Sequence, residues 1–292
     1  MKGSAVHPFI DEQARQRIYF FLFRAAAFLS LIILLLVLAY LLIKGSSVMS
    51  WHFLTNIWSH QNIAKGGIIQ AIIGTVFLCI GVVVVTLPIG MATAIYLNEY
   101  AKDTLFRRII ALSVRNLAGV PSVIYGVFGL AFFVLSLHLG TSLLAAILTL
   151  SCMTLPWIIT ASEEALKTVP AGFREGSLAL GATQWQTIHK NVLPHASGGM
   201  LTGGILGMSR AMGETAPIII VGATFYMGYI SFSPLDKFMA LPYHAFILAT
   251  QHADASAMQY ALGTALVLIL LTSLLNIGAF LIRHRLRKKK EW

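Results

Sequence analysis

Two residues of opposite charge stand inside a long uncharged stretch of this sequence. Arg210 and Glu214, in the segment GMSRAMGETAP, are the only charged residues between positions 191 and 235. A guanidinium is a planar donor that can bind an oxyanion through two parallel hydrogen bonds. A carboxylate four residues along a helix lies on the same face and can hold the guanidinium in place. The pair therefore suits two tasks, an ion pair that joins packed helices or a binding point for an anion in transit.

The composition around this pair indicates an integral membrane protein. Of the 292 residues, 57% are hydrophobic and 11% are charged, and the mean hydropathy is +0.79, which is too apolar for a soluble domain of this size. A helix crosses a bilayer with about 20 apolar residues, and uncharged stretches of that length recur along the chain. Six membrane spans are expected, at residues 25–43, 66–98, two within 116–162 separated near 136–142, 196–222 and 255–282.

With six spans, the basic residues are distributed unequally between the two sides of the membrane. With both termini in the cytoplasm, 17 of the 21 Lys and Arg residues fall on cytoplasmic segments and only Lys44, Lys65 and Lys237 on external ones. This asymmetry follows the positive-inside rule and explains the net charge of +10 without a nucleic acid as partner. A seventh span within residues 225–253 would move the basic C-terminal tail outside, so this aromatic-rich segment is expected to be an external loop.

Motifs of the common enzyme classes are missing from the sequence. It has no GxxxxGK[ST] phosphate loop, no HExxH and no GxSxG, the patterns that carry nucleotide, zinc and acyl-transfer chemistry. Cys79 and Cys152 both lie within expected spans and form no CxxC pair. No catalytic residue, metal site or bound cofactor is expected, which disfavours a membrane-embedded enzyme.

The longest cytoplasmic loop has a pattern of its own, FREGSLALGATQWQTIHKNVLP at residues 173–194. It predicts a helix that ends at Gly181, because glycine accepts the left-handed conformation at a helix end. A second helix begins at Thr183, which has the capping-box spacing with Gln186. This helix–turn–helix is either an interfacial loop or a rigid peg that docks into another protein. The candidate contact residues are Leu178, Leu180 and Trp185.

Several residues of this loop resemble the EAA loop of ABC-importer permease subunits. The family pattern is E-A-A-x3-G-x9-I-x-L-P, and this chain has Glu175-Gly176-Ser177, Gly181 and Leu193-Pro194 at the same spacing. It departs from the pattern in two places, with Gly-Ser for Ala-Ala and Asn191 for the isoleucine. The resemblance favours the docking peg and implies a coupling loop, residues 163–194, that contacts an ATP-hydrolysing subunit. Its expected contact residues are Arg174, Glu175, Gly176, Ser177, Gly181, Trp185, Leu193 and Pro194.

Three further stretches are similar to the phosphate-specific members of that family. They are LPIGMATAIYLNEYA at 87–101, GVPSVIYGVFGL at 119–130 and SRAMGETAP at 209–217. The Ala-Pro after Gly-Glu-Thr resembles the PstA type of permease rather than its PstC-type partner. The resemblance covers residues 65–282 and implies an all-α integral membrane protein with six transmembrane helices, type I ABC importer permease architecture and cytoplasmic termini.

The same resemblance implies a permease subunit of an ATP-driven phosphate importer in the bacterial cytoplasmic (inner) membrane. The expected partners are a PstC-type permease, a homodimeric PstB-type ATP-binding subunit, an extracytoplasmic PstS-type phosphate-binding protein, phosphate and membrane lipid. ATP is expected to be bound and used by the PstB-type partner subunit, and this chain is expected to bind no cofactor. The expected segments are a cytoplasmic tail (1–24), a first span (25–43), the permease domain (65–282) and a basic cytoplasmic tail (283–292).

The residues leave some alternatives open. A permease for sulfate or molybdate would use the same arginine chemistry, and the chain could be the PstC-type subunit. An ion-gradient-driven secondary transporter would need repeat symmetry between its halves, and none is visible. Gly199, Gly203 and Gly207 form overlapping GxxxG steps, which predict a close helix contact on the face that carries Arg210. In such a permease Arg210 and Glu214 are expected to line the substrate pathway, and a structural role for the same pair remains compatible with this.

Overall fold

The computed structural model describes residues 12–59, 65–251 and 256–288. These residues form helices, with one isolated bridge between Ala223 and Phe238. Three π-helical turns directly follow or precede α-helices, at Tyr96–Tyr100, Leu130–Ser136 and Ile188–Val192. The helices are α1 (Glu12–Gly45), α2 (Trp51–Thr55), α3 (Ile69–Ile95), α4 (Leu105–Ala118), α5 (Ser122–Gly129), α6 (Leu143–Lys167), α7 (Ala171–Ala179), α8 (Gln184–Thr187), α9 (Leu193–Gly213), α10 (Ala216–Val221), α11 (Leu241–Thr250) and α12 (Ala257–Lys288).

Among the described residues, four helices are long and apolar enough to cross a membrane alone, namely α1, α3, α6 and α12. Helices α4 and α5 meet at a bend of 104° and would together make a fifth span. The bend falls at Pro121, which caps the start of α5. Proline lacks an N–H group and pushes the preceding residue out of the helical region, so α4 cannot continue. Helix α9, where a sixth span is predicted, has 21 residues and a length of about 30 Å. The total of six spans stays a prediction.

The terminal helices extend beyond the predicted span limits. Helix α1 begins at Glu12, so residues 12–24 of the predicted tail are helical, and α12 continues to Lys288 through most of the predicted basic tail. Arg, Gln, Glu and Lys are strong helix formers, which lets an apolar helix run on into its charged flanks. The remaining tail residues, 1–11 and 289–292, lie outside the described part of the chain.

Helix α6 is the centre of the bundle. The most apolar stretch of α6 is 67% buried, whereas that of α1 is not buried at all. Helix α6 packs against α3, α5 and α9. Helix α1 contacts α12 and leaves its apolar side chains exposed. The α6 surface therefore fixes where the neighbouring helices, and the charged residues on them, can lie.

The aromatic-rich segment at 225–253 contains the short helix α11. Its 10 residues span about 15 Å, too little to cross a bilayer, which agrees with the prediction that this segment is no seventh span. Leu241, His244 and Leu248 are buried, and α11 packs against α12 and α3. The segment is thus a packed part of the bundle, more compact than the predicted loop.

Three glycines on one face of α9 touch α6. A Cβ atom on Gly199 would lie 2.6 Å from Ala165 Cβ, and one on Gly207 would lie 3.0 Å from Ile158 Cγ1. Between them, a Cβ on Gly203 would collide with Ala161. Separations under 3.0 Å are not tolerated in a packed interior. Gly199 and Gly203 therefore set how closely the two helices approach, as GxxxG-type contacts do, and Gly207 packs tightly against Ile158.

We predict that Gly203→Ala destabilises the protein, because the new methyl must push α9 away from α6. Overpacking of this kind costs about 1–3 kcal/mol, which should lower the melting temperature of the purified membrane protein by several degrees. Gly198→Ala is the matched control, because a Cβ atom there meets nothing within 4 Å and alanine favours helix. Equal melting temperatures for the two variants would contradict the contact.

Candidate anion site and coupling loop

Arg210 lies in the last turn of α9, and Glu214 follows the helix as its C-cap residue. Glu214 has a helical φ of −72° and an extended ψ of 129°, so the chain leaves the helix at this residue, earlier than the end of the predicted span. The helix ends at Gly213 because glycine is a poor helix former, and the separate helix α10 begins at Ala216 with Pro217 in its first turn. The two side chains still pair, with 3.6 Å between Arg210 Nε and Glu214 Oε1.

The aromatic ring of Trp157 lies beneath the guanidinium. Arg210 Cζ is 4.9 Å from the centre of the Trp157 ring, within the range of a cation–π interaction. Trp157 is on α6, one residue before the isoleucine that faces Gly207. The close α6–α9 contact therefore brings the indole and the guanidinium together. Sequence reasoning missed this residue, because its position beside Arg210 depends on the register of two helices.

The guanidinium keeps most of its hydrogen-bonding capacity free. The Arg210 side chain is 42% exposed and that of Glu214 is 16% exposed. Within the described residues, no acceptor lies at ordinary hydrogen-bond distance from Arg210, and the 3.6 Å ion pair is longer than such a bond. An arginine has five N–H donors. The arrangement thus presents a positioned cation whose donors are available to an oxyanion.

Helix α9 is also joined to α12 on the side away from α6. Ser209 Oγ donates to Asn276 Oδ1 at 2.6 Å, and the Arg283 guanidinium donates to Thr202 Oγ1. The residue before Arg210 and the middle of α9 are therefore both tied to α12. Together with the glycine contact to α6, these bonds hold Arg210 between two long helices.

The predicted coupling loop folds as helix, glycine turn and helix. Helix α7 ends one residue before Leu180, and Gly181 has the left-handed φ of +82° that the sequence pattern predicts. Thr183 Oγ1 accepts from Gln186 N at 3.2 Å, and Gln186 Oε1 accepts from Thr183 N at 2.9 Å. This confirms the capping box. Helix α8 then runs through a π-helical turn directly into α9, whose first two residues are Leu193 and Pro194.

Arg174 fastens the first helix of the loop to the rest of the protein. It binds Glu99 with two hydrogen bonds, of 3.0 Å from Nε and 2.7 Å from Nη2. It also donates to the carbonyl oxygens of Leu166 and Val169. The hydrogen bonds to Glu99 hold the pKa of Arg174 above its ordinary value, and partial burial opposes this. Across the turn, Thr187 Oγ1 donates to Ser177 Oγ at 3.0 Å.

Other residues of the loop point away from the protein. Leu180 is 90% exposed, and Trp185 is 60% exposed and stacks on His189 at a ring distance of 5.6 Å. Glu175 and Gly176 are exposed as well. A tip with an exposed leucine and indole is suited to a protein interface, where aromatic side chains supply much of the binding.

Comparisons with known proteins agree with this fold. Residues 85–291 match the family model of the binding-protein-dependent transport system inner membrane component. The phosphate transport system permease protein PstA 1 of Mycobacterium tuberculosis (strain CDC 1551 / Oshkosh) is 34% identical over 222 residues, 75% of this chain and 71% of that protein. The probable ABC transporter permease protein YqgI of Bacillus subtilis (strain 168) is 28% identical over 252 residues, 82% of this chain and 85% of that one.

Solved structures of ABC transporters share the fold. A bacterial alginate ABC transporter in complex with an alginate-bound periplasmic protein superposes with a TM-score of 0.69 at 16% identity, over 97% of this chain and 99% of that chain. An inward-facing MetNI methionine ABC transporter gives a TM-score of 0.63 at 20% identity, over 75% and 95% of the two chains. The chain therefore belongs to the family of binding-protein-dependent transport system inner membrane components, the permease subunits of ABC importers, and has their type I fold.

Proposed function

We propose that this chain is the PstA-type permease subunit of an ATP-driven phosphate importer in the bacterial inner membrane. The name of the mycobacterial relative supports phosphate as the substrate. The observation that carries the proposal is the position of Arg210. This partly exposed guanidinium stands on Trp157 at the end of α9, the helix that continues directly from the coupling loop.

Arg210 gives the translocation pathway a binding point for phosphate in this proposal. Its planar fork fits two oxygens of the anion, and Trp157 holds the guanidinium from below. Glu214, 3.6 Å away, reduces the positive field at the site. A conducting site needs binding that is strong enough for entry and weak enough for release. The carboxylate therefore lets the phosphate leave after it has bound.

The rest of the transporter is assigned to partner subunits. A PstC-type permease completes the pathway, and an extracytoplasmic PstS-type protein delivers phosphate. A homodimeric PstB-type subunit hydrolyses ATP in the cytoplasm and contacts the exposed tip of the coupling loop, and this chain binds no cofactor of its own. In this arrangement the chain has six spans, with both termini in the cytoplasm. Movement of the loop reaches Arg210 along α9 and exposes it to each side of the membrane in turn.

Replacing Arg210 tests the substrate pathway. We expect Arg210→Gln to lower ATP-dependent phosphate uptake by about tenfold or more, because a hydrogen bond to a charged group contributes about 1.5–3 kcal/mol. Uptake of labelled phosphate and sulfate is measured in cells that lack the permease, at matched membrane levels of each variant. Normal phosphate uptake by Arg210→Gln would show that the Arg210–Glu214 ion pair has only a structural role. Restoration of sulfate uptake alone by the wild type would show a different oxyanion importer.

Trp157 is expected to hold the Arg210 guanidinium in position and to make no bond with phosphate itself. A cation–π interaction at an exposed site contributes about 0.5–1 kcal/mol, so Trp157→Ala is expected to raise the KM for phosphate uptake about two- to fivefold. Trp51→Ala is the matched control, because Trp51 is 80% exposed and lies on α2, outside α6 and α9. An unchanged KM in Trp157→Ala would remove the indole from the site.

The exposed tip of the coupling loop should bind the ATPase. We expect Leu180→Ser to reduce co-purification of the ATPase subunit with the permease, because an exposed apolar contact of about 1.5–3 kcal/mol is lost. Leu105→Ser is the control, since Leu105 is also strongly exposed but lies on α4, outside the loop. Equal co-purification of both variants would contradict the assignment of this tip.

A further inference from the structure

Glu99 is a buried acidic residue that the proposed function does not yet use. Its side chain is 6% exposed and that of its partner Arg174 is 24% exposed, which makes this the least exposed ion pair among the described residues. A buried pair contributes little net stability, because desolvation offsets the attraction between the charges. Stability alone therefore gives a weak reason for a carboxylate at this position. The geometry of its contacts gives a stronger one.

The π-helical turn that carries Glu99 connects four other elements. Arg174 of α7 binds its carboxylate, and Gln184 Nε2 of α8 donates to its carbonyl oxygen at 2.6 Å. From α4, Arg107 Nε donates to the Leu97 carbonyl oxygen at 2.9 Å. Through Arg174, which also binds the Leu166 carbonyl oxygen, the turn is joined to the end of α6. Both helices of the coupling loop thus hold one short turn at the end of α3.

Helix α7 has few other attachments. None of its residues is buried. Besides those of Arg174, its side-chain hydrogen bonds and ring contacts with other described residues are the bond from Thr187 to Ser177 and the Phe173 ring 4.8 Å from that of His195. These two contacts join α7 to the α8–α9 segment, while Arg174 joins it to α3. A push on α7 therefore reaches α3 through the charged pair.

Helix α3 leads from this turn to the region of the candidate anion site. It packs along α6 and α9, and a Cβ atom on Gly204 of α9 would collide with the Leu87 side chain of α3. Because α3 is tightly packed against both helices, a displacement at its end moves the surroundings of Trp157 and Arg210. The coupling loop is thus linked to the candidate anion site in two ways, through the π-helical turn and α3, and directly through α9.

We propose that Glu99 is a positioning residue that transmits movement of the coupling loop to α3 through Arg174. This inference rests on the proposed function, because it assigns a mechanical step within the importer. Glu99 touches neither phosphate nor ATP. Its charge keeps α7 and the end of α3 moving as one body, so its loss should uncouple ATP hydrolysis from transport while the complex stays assembled.

The test uses the complete importer reconstituted in proteoliposomes with its phosphate-loaded binding protein. Glu99→Gln retains the size of the side chain and its hydrogen-bonding oxygen, and removes the charge. We expect the stimulation of ATP hydrolysis by the loaded binding protein to fall about tenfold, within the usual range for coupling between sites, and the ATP consumed per phosphate transported to rise. Unstimulated hydrolysis and the amount of assembled complex should not change. Glu164→Gln is the matched control, because its ion pair with Lys167 is exposed on both sides and includes no residue of the turn.

The outcomes separate this inference from the proposed function. A wild type without stimulated hydrolysis overturns both, whereas stimulation by a sulfate-loaded protein alone overturns only the choice of substrate. Full stimulation in Glu99→Gln overturns the inference and leaves the proposed function standing. If Glu99→Gln fails to assemble, Glu99→Asp, which keeps the charge on a shorter side chain, is measured in the same way. Weaker stimulation in an assembled Asp variant supports the inference, and failure of both variants to assemble makes the pair a folding element and overturns it.

Discussion

The close approach of α9 to α6 is the constraint on which the candidate site depends. Gly199 and Gly203 leave no room for a side chain between the two helices, and Gly207 leaves little. Without a hydrophobic effect between helices in lipid, such contacts associate through van der Waals packing, which small residues make possible. The contact fixes the register of the helices, and this register places Trp157 beneath Arg210. A packing feature thus positions a charged group.

The chain connects this site to the coupling loop without a break in helical structure after Gln184. Helix α8, a π-helical turn and α9 follow each other directly, so the loop and Arg210 stand at opposite ends of one rod. Turns of the π type are rare and are frequently found at functional sites. Here one such turn, at the end of α3, contacts the coupling loop, and another lies within the loop, directly before α9. The coupling loop is therefore joined to both α3 and α9 through a π-helical turn.

Local patterns in the sequence predicted the local features well. The capping box of Thr183 and the left-handed Gly181 depend on neighbouring residues only, and both are present. The helix end before Glu214 was missed, because an uncharged stretch does not reveal where a membrane helix stops. Trp157 and Glu99 were missed for a different reason. Each is placed by contacts between helices far apart in the chain, and the register of such contacts is not contained in hydropathy or motif spacing.

In the proposed importer, the positive charge at position 210 acts on the anion in the pathway. The most direct measurement replaces Cys79 and Cys152, introduces Arg210→Cys, and compares phosphate uptake after modification with a positively charged or a neutral methanethiosulfonate reagent of similar size. We expect little uptake by the unmodified variant, recovery with the charged reagent and none with the neutral one. Equal uptake after both reagents, or full uptake before modification, would contradict it.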